Sequence, residues 1–252
     1  MADENGNPNN AELAQRLEDM ARVAGRVAHD FDNILTGVLG FTELTQTAVP
    51  AGPAHRHLAE LYRVGQQGVE LTKRLHLLSR AAGAKPVAMP LAGILADAER
   101  RRRKRLPEKV ALEVQPALGL PPVMIDAEAI RSALDELLAN AVEACADGGK
   151  VVVSAETVTL SDADCRQLLG RAAAGEFVLV TVADSGAGFS PQARARLFVE
   201  ACFSTKPRHR GLGLPIVYRV LYSHHAGLLL DTDTQGGTVA RVFLPVAVAD
   251  KN

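Results

Sequence analysis

The sequence predicts an α+β protein in two parts: a helical hairpin that pairs with a second copy into a four-helix bundle, then an α/β sandwich. Three observations predict it. Apolar residues recur at steps of three and four over residues 13–41 and again over 61–78. The stretch VPAGP at 49–53 separates these runs, because two prolines and a glycine do not continue a helix. From GAKP at 83–86 onward, short β-like runs alternate with helical ones, the texture of a separate α/β domain.

The expected layout is a polar tail over 1–11, a hairpin over 12–82, an α/β domain over 83–247 and a short tail over 248–252. In the first helix Leu13, Leu17, Met20, Ala24, Val27, Phe31, Ile34, Val38 and Phe41 alternate steps of four and three, as in the a/d seam of a bundle. The second helix repeats the pattern through Leu61, Val64, Gly68, Leu71, Leu75 and Leu78. Two seams in one hairpin leave apolar surface to cover, so a symmetric homodimer is expected. Beyond 83, VALEV, KVVVSAETV and EFVLVTVAD read as strands, and 91–105, 127–146 and 213–224 as helices.

Composition narrows the function classes. At 252 residues the chain has room for two ordinary domains, and 47% hydrophobic residues support a folded one. A net charge of −1 gives no global field toward nucleic acid or an anionic membrane. The run ERRRRKR at 99–105 reads instead as cations at a helix C-terminus, where they complement the dipole. No run is apolar enough to span a bilayer, and MADENGNPNN lacks the order of a signal peptide. Cys145, Cys165 and Cys202 lack metal-ligand spacing and read as reduced thiols, so the expected address is the cytoplasm.

Within RVAHDFDNILTGVLGF, residues 26–41, His29 falls at the heptad position furthest from the seam and should face solvent. Asn33 follows at i+4 on that face, and Asp30 is adjacent in sequence. An exposed imidazole is a usable nucleophile, and a neighbouring carboxylate can fix its tautomer by accepting from one ring nitrogen. The same residues also suit an ordinary solvated helix face, so the rest of the chain must decide.

In DELLANAVEACADGG, Glu136 and Asn140 are at i and i+4 and project together. The strand VLVTVADSGAGF delivers Asp184 into a loop whose Gly186 and Gly188 permit close approach of a ligand. In GLGLPIVYRVL, Gly211 and Gly213 precede a helix with Pro215 in its first turn, a natural phosphate site. Between them, STKPRHR supplies Lys206, Arg208 and Arg210.

Taken in order over about 12–247, these pieces resemble the catalytic core of sensor histidine kinases. AHDFDNILTGVLGF resembles the phosphoacceptor H box, notably the AHDFNN type of hybrid sensor kinases. DELLANAVEA resembles the N box, DSGAGF the first glycine box, LFVEACFSTK the F-box region, GLGL the second glycine box and GGTVARVFLP the closing strand. The resemblance implies a GHKL, or Bergerat-type, ATP-binding sandwich. It also implies an enzyme that phosphorylates its own His29 from ATP with Mg²⁺ and hands the group to a receiver-domain aspartate on another protein.

By the same resemblance Asp30 is the partner of His29 and a candidate general base, and Asn33 a phosphatase-assisting residue. Asn140 holds Mg²⁺. Asp184 recognises the adenine amino group, as in the related gyrase, Hsp90 and MutL ATPases. Gly186, Gly188, Gly211, Gly213 and Leu214 shape the pocket, Thr238 lies at its adenine end and Lys206 meets phosphate. Glu136 matches the acid that is the hydrolytic base in the ATPase relatives. A joint near 82–90 would let His29 meet the nucleotide, and a separate sensory protein would supply the input.

Three departures from the pattern matter. Ile34 stands where many H boxes have proline, Asp32 replaces an asparagine and puts an extra negative charge beside His29, and the loop from Lys206 to Gly211 is short. An adapter or scaffold with a vestigial nucleotide site is the alternative reading, against which DSGAG and GLG stand. An ATP-driven clamp would carry a further domain after VFLP.

Overall fold

Steps of three and four become two long helices, α1 over Asn10–Ala48 and α2 over Pro53–Arg80. The computed structural model describes residues 10–80, 85–115, 118–145, 147–197, 211–233 and 236–247. Helix α1 ends two residues before Pro50, and Pro53 opens α2, the first helical position where its missing N–H costs nothing. The described residues divide into two compact units, Glu18–Arg80 and a second made of Met1–Leu17 with Ala81–Asn252. The expected joint near 82–90 falls partly outside the described residues, and its 87–89 portion is a strand.

Leu13, Leu17 and Ala24 of the expected α1 seam are buried, as is Leu78 of α2, but over 25–42 the packed face of α1 is displaced by one residue from the expected one. A side chain on Gly25 would come 3.0 Å from Ser79 Cβ, one on Gly68 2.9 Å from Leu35 Cδ2, and one on Gly65 2.6 Å from Leu39 Cδ2. Asp32 meets His76, and Ala28 and Thr42 are buried. The α1 face toward α2 is therefore 25, 28, 32, 35, 39 and 42, again in steps of three and four. Val27, Phe31, Ile34, Val38 and Phe41 form a neighbouring stripe that the hairpin leaves exposed. A 39-residue helix has circumference for both stripes.

The other unit is a six-stranded sheet covered by helices. Its strands are β2 (Val110–Val114), β4 (Gly149–Leu160), β6 (Gly175–Asp184), β8 (Thr238–Pro245), β7 (Gly227–Thr232) and β5 (Leu169–Gly170), in that spatial order. All neighbours are antiparallel except β2 and β4. A separate pair, β1 (Val87–Met89) with β3 (Val123–Ile125), is antiparallel. Sequence reading did not name β1, β3, β5 or β7: strands of two and three residues carry no periodicity, and GLLLDT of β7 is an apolar run without alternation.

Helices α3 (Ala92–Arg103), α4 (Ala127–Ala144) and α7 (Gly213–Ser223) match the helical stretches expected, and α5 (Asp162–Arg166) and α6 (Pro191–Arg196) are short additions. Ile130, Leu134 and Leu137 of α4 and Ile216, Val217 and Val220 of α7 are buried along with Val151, Val180, Val182 and Val242 of the sheet. Phe177, Leu179, Phe243 and Leu168 form a second apolar cluster with Val158 and Leu229. Asn10 joins this unit: its amide donates to Leu168 O at 2.9 Å and accepts from Gly170 N at 3.1 Å.

The arginine run is used inside the domain. Arg101 makes a bidentate bond to Asp135 of α4 at 3.2 Å, Arg102 donates to Asp135 O, and Arg103 bonds Glu99 and Leu112 O. Its residues thereby tie α3 to α4 and β2.

Candidate functional site

His29 sits in mid-α1 with its side chain 75% exposed, beside Asp30 at 79%. The Nδ1–Oδ1 separation is 3.4 Å, a long hydrogen bond that a small side-chain rotation closes. In the tautomer with hydrogen on Nδ1, that atom donates to the carboxylate and Nε2 keeps its lone pair. Asn33 is exposed one turn later. Seam geometry predicted this solvent-facing position, and the displaced packing preserves it because His29 belongs to neither stripe.

The second site is built where β6 ends. Asp184, 7% exposed, has Oδ1 fixed by two backbone donors, Gly186 N at 2.9 Å and Thr238 N at 3.2 Å. Gly186 backs onto the Ala144 carbonyl, and Gly188 follows beside Gly236 and Thr232. Gly237 is required by close approach: a Cβ there would lie 1.7 Å from the Asp184 carbonyl oxygen. Sequence reading passed over Gly237, although its place just before β8 in GGTVARVFLP was visible.

Helix α4 brings the other side chains. Glu136 is 9% exposed and Asn140 is half-buried one turn later. Against both lies Gly213, the first residue of α7; a Cβ there would be 3.0 Å from Glu136 Oε2 and 3.4 Å from Asn140 Nδ2. The bare backbone of Gly213 lets a helix N-terminus lie close to that pair, and its backbone N–H groups and dipole favour an anion. Gly211 turns the chain with φ of 65° immediately before, Leu214 is half-buried in the first turn and Pro215 is buried beside it. Lys206, with 198–210 including Arg208 and Arg210, lies outside the described residues.

Helices α4 and α7 are held in register at their other ends by a contact that the sequence did not announce. His224, 2% exposed, accepts from Asp126 N through Nε2 at 2.9 Å and donates to Val220 O through Nδ1 at 2.7 Å. Asp126 in turn caps α4, accepting from Glu128 N and Ala129 N. Burial pushes the His224 pKa down, and the two bonds specify its neutral tautomer. The antiparallel α4–α7 pair thus places Gly213 against Glu136 and Asn140 at one end and His224 against Asp126 at the other.

Residues 125–248 match the family of histidine kinase-, DNA gyrase B- and HSP90-like ATPases. They are a domain of that family. Over nearly the whole chain the similarity is to sensor kinases. The chain is 25% identical over 241 residues to Sensor kinase CckA of Brucella abortus (strain 2308), covering 94% of this chain and 25% of that one. It is also 25% identical over 241 residues to Sensor histidine kinase ZraS of Salmonella typhi, covering 92% and 47%. The chain thus spans between a quarter and a half of these curated relatives.

Among solved structures, full-length ShkA in complex with AMPPNP superposes with a TM-score of 0.72 at 24% identity, over 91% of this chain and 47% of that one. The Acinetobacter baumannii histidine kinase AdeS gives 0.51 at 17% identity, over 86% and 96%. The chain therefore has the fold of these histidine kinase structures: a helical N-terminal region followed by the ATPase-type sheet domain. Among the described residues, no helix is long and apolar enough to cross a membrane.

Proposed function

We propose that this protein is an ATP-dependent histidine kinase of a two-component system, which phosphorylates His29 and passes the group to a receiver-domain aspartate on another protein. The observation that carries the reading is the assembled ATPase-family pocket, Asp184 fixed by Gly186 and Thr238 with Glu136 and Asn140 against Gly213, on the same chain as the exposed His29–Asp30 pair.

In the reaction, the lone pair of His29 Nε2 forms a bond to the γ-phosphorus of ATP. The bond to the bridging oxygen breaks, and its electron pair leaves with ADP. Asp30 holds the Nδ1 proton and offsets the charge that the ring acquires. Asp184 receives the adenine amino group, Thr238 closes that end of the pocket, and the start of α7 faces the phosphates. Gly186, Gly188 and Gly211 let backbone border the nucleotide. Lys206 is assigned to phosphate and Asn33 to assisting hydrolysis of the phosphorylated receiver.

The donor set fits Mg²⁺: Asn140 and Glu136 offer oxygens beside the phosphate end, and this ion takes one or two protein ligands while keeping phosphate and water. Asn140 would hold it, and when bound it neutralises phosphate charge. Glu136, nearly buried beside Asn140, orders that end of the pocket, in the place of the acid that is the hydrolytic base in the ATPase relatives.

The exposed stripe Val27, Phe31, Ile34, Val38 and Phe41, with Leu61 and Val64 of α2, fits a homodimeric four-helix bundle. A separate sensory protein supplies the input, and use of ATP fits the cytoplasm.

The test is incubation with Mg²⁺ and γ-labelled ATP beside His29→Ala and Asn140→Ala, scoring label that survives base and is lost in acid. Label on the wild type alone is expected. Absence of label on folded dimer overturns the kinase reading, and absence of nucleotide binding as well makes the chain a phosphotransfer adapter.

A further inference from the structure

The extra carboxylate beside the acceptor histidine has a partner on the other helix. Asp32 lies one turn after His29, a separation of about 5–6 Å between Cβ atoms on a helix. Its Oδ2 is 2.5 Å from His76 Nε2 of α2, with side chains 43% and 34% exposed. An ionised carboxylate only accepts, so Nε2 carries the hydrogen. Asp32 belongs to the α1 face that packs on α2, and His76 lies between the close approaches of Gly68 to Leu35 and of Ser79 to Gly25. The bond therefore turns the carboxylate toward α2.

The groups acting on Asp32 are Thr72, His76 and His29, and the neighbouring Thr72 hydroxyl and then the His76 ring hold its carboxyl below the usual range. The Thr72 hydroxyl also reaches Val69 O at 3.0 Å, and its single proton serves one acceptor at a time. His76 is thus the geometrically defined donor. Asp32 is charged at neutral pH, and its position beside His29 matters in two ways. A bare carboxylate one turn away repels the γ-phosphoryl oxygens, and it also favours a protonated imidazole, which has no lone pair to give.

We propose that His76 is a positioning residue for phosphorylation of His29, acting through its bond to Asp32 to draw that charge away from the incoming phosphoryl group. The inference rests on His29 being the acceptor. The transfer is the one already described: the Nε2–P bond forms and the P–O bond to ADP breaks. His76 neither gains nor loses a bond to phosphorus.

The test uses the full chain with His76→Ala, His76→Gln, Asp32→Asn and the double variant His76→Ala/Asp32→Asn. Two quantities are read: the initial rate of labelling from Mg²⁺-ATP, and the titration midpoint of the His29 ring by NMR. His76→Ala is expected to label about fivefold more slowly, the scale of one unpaired charge in a partly solvated site. Asp32→Asn in that background should restore the rate, and His76→Gln, which keeps an N–H donor, should retain at least about half of it. The His29 midpoint should rise in His76→Ala and return in the double variant.

A wild-type rate in His76→Ala, or a double variant as slow as His76→Ala, overturns the proposal. Helicity by circular dichroism, with the His76→Gln rate, separates misfolding from loss of the hydrogen bond to Asp32. If the wild type takes no label, the kinase reading fails on its own. The NMR arm then decides: an unmoved His29 midpoint in His76→Ala overturns the electrostatic link, and a raised one supports it.

Discussion

In the sheet unit Val178, Val180, Ile216, Leu228 and Leu244 are each 0% exposed, whereas in the hairpin Phe31, Ile34, Phe41 and Leu44 are 50%, 59%, 74% and 66% exposed. The residue types are alike, and what differs is the cover that each unit can provide. A sheet with helices α4 and α7 laid on it encloses apolar side chains within its own chain. Two helices side by side cover one stripe of each, and α1 has two. The difference teaches that the sheet unit is complete by packing alone, while the hairpin leaves uncovered the stripe assigned above to the proposed second copy.

That contrast is most directly broken in the exposed stripe. Ile34→Asp with Phe41→Asp should weaken dimerisation by about 4 kcal/mol, roughly a thousandfold in Kd, through lost burial and charge placed in an apolar seam. Analytical ultracentrifugation reads it. Nucleotide binding by the sheet unit should be unchanged; a dimer of wild-type strength would show that another surface covers α1.

The next effect lies in the self-contained unit. His224→Ala leaves the Asp126 N–H without its acceptor and opens a cavity, and should cost about 2–3 kcal/mol by denaturant unfolding. The pH sign follows from the depressed pKa of this base. Its contribution is fully present above the unfolded histidine value of about 6.5, and is lost as pH falls through the lower folded value. His224→Ala should therefore flatten the acid limb of Tm against pH, and an acid limb equal to that of the wild type would remove His224 from the account.

A smaller effect is expected from Gly213→Val, whose side chain would press on Glu136 and Asn140. It should weaken nucleotide binding about tenfold by calorimetry and leave the dimer intact. Smallest is Arg101→Ala: its bond to Asp135 joins side chains 40% and 35% exposed, so the expected loss is under about 1 kcal/mol. A larger loss would mean that the arginine run is a principal fastening of α3.

Much of this was legible before any coordinates. The 3–4 steps marked both hairpin helices, VPAGP marked the break, and 110–114 and 176–184 read as strands because their apolar and β-branched content is dense. His29 was placed on an exposed face by heptad position alone. What periodicity could not show was the stripe that meets α2, since Gly25, Asp32 and Thr42 hide it from an apolar count. Nor could it show that Asp32 meets His76, or that His224 meets Asp126. Each pair is separated by dozens of residues, and a lone histidine on a helix has no local signature.

The sequence by itself determined the two-part architecture and the residue types of the site, because periodicity, turn chemistry and glycine placement act over a few residues at a time. Only the tertiary structure decided which partners those residues take: Gly213 against Glu136 and Asn140, Thr238 N on Asp184, His76 on Asp32. Such contacts depend on how helices rotate about their axes and on strand register, and those are settled by the packing of whole elements rather than by local preference.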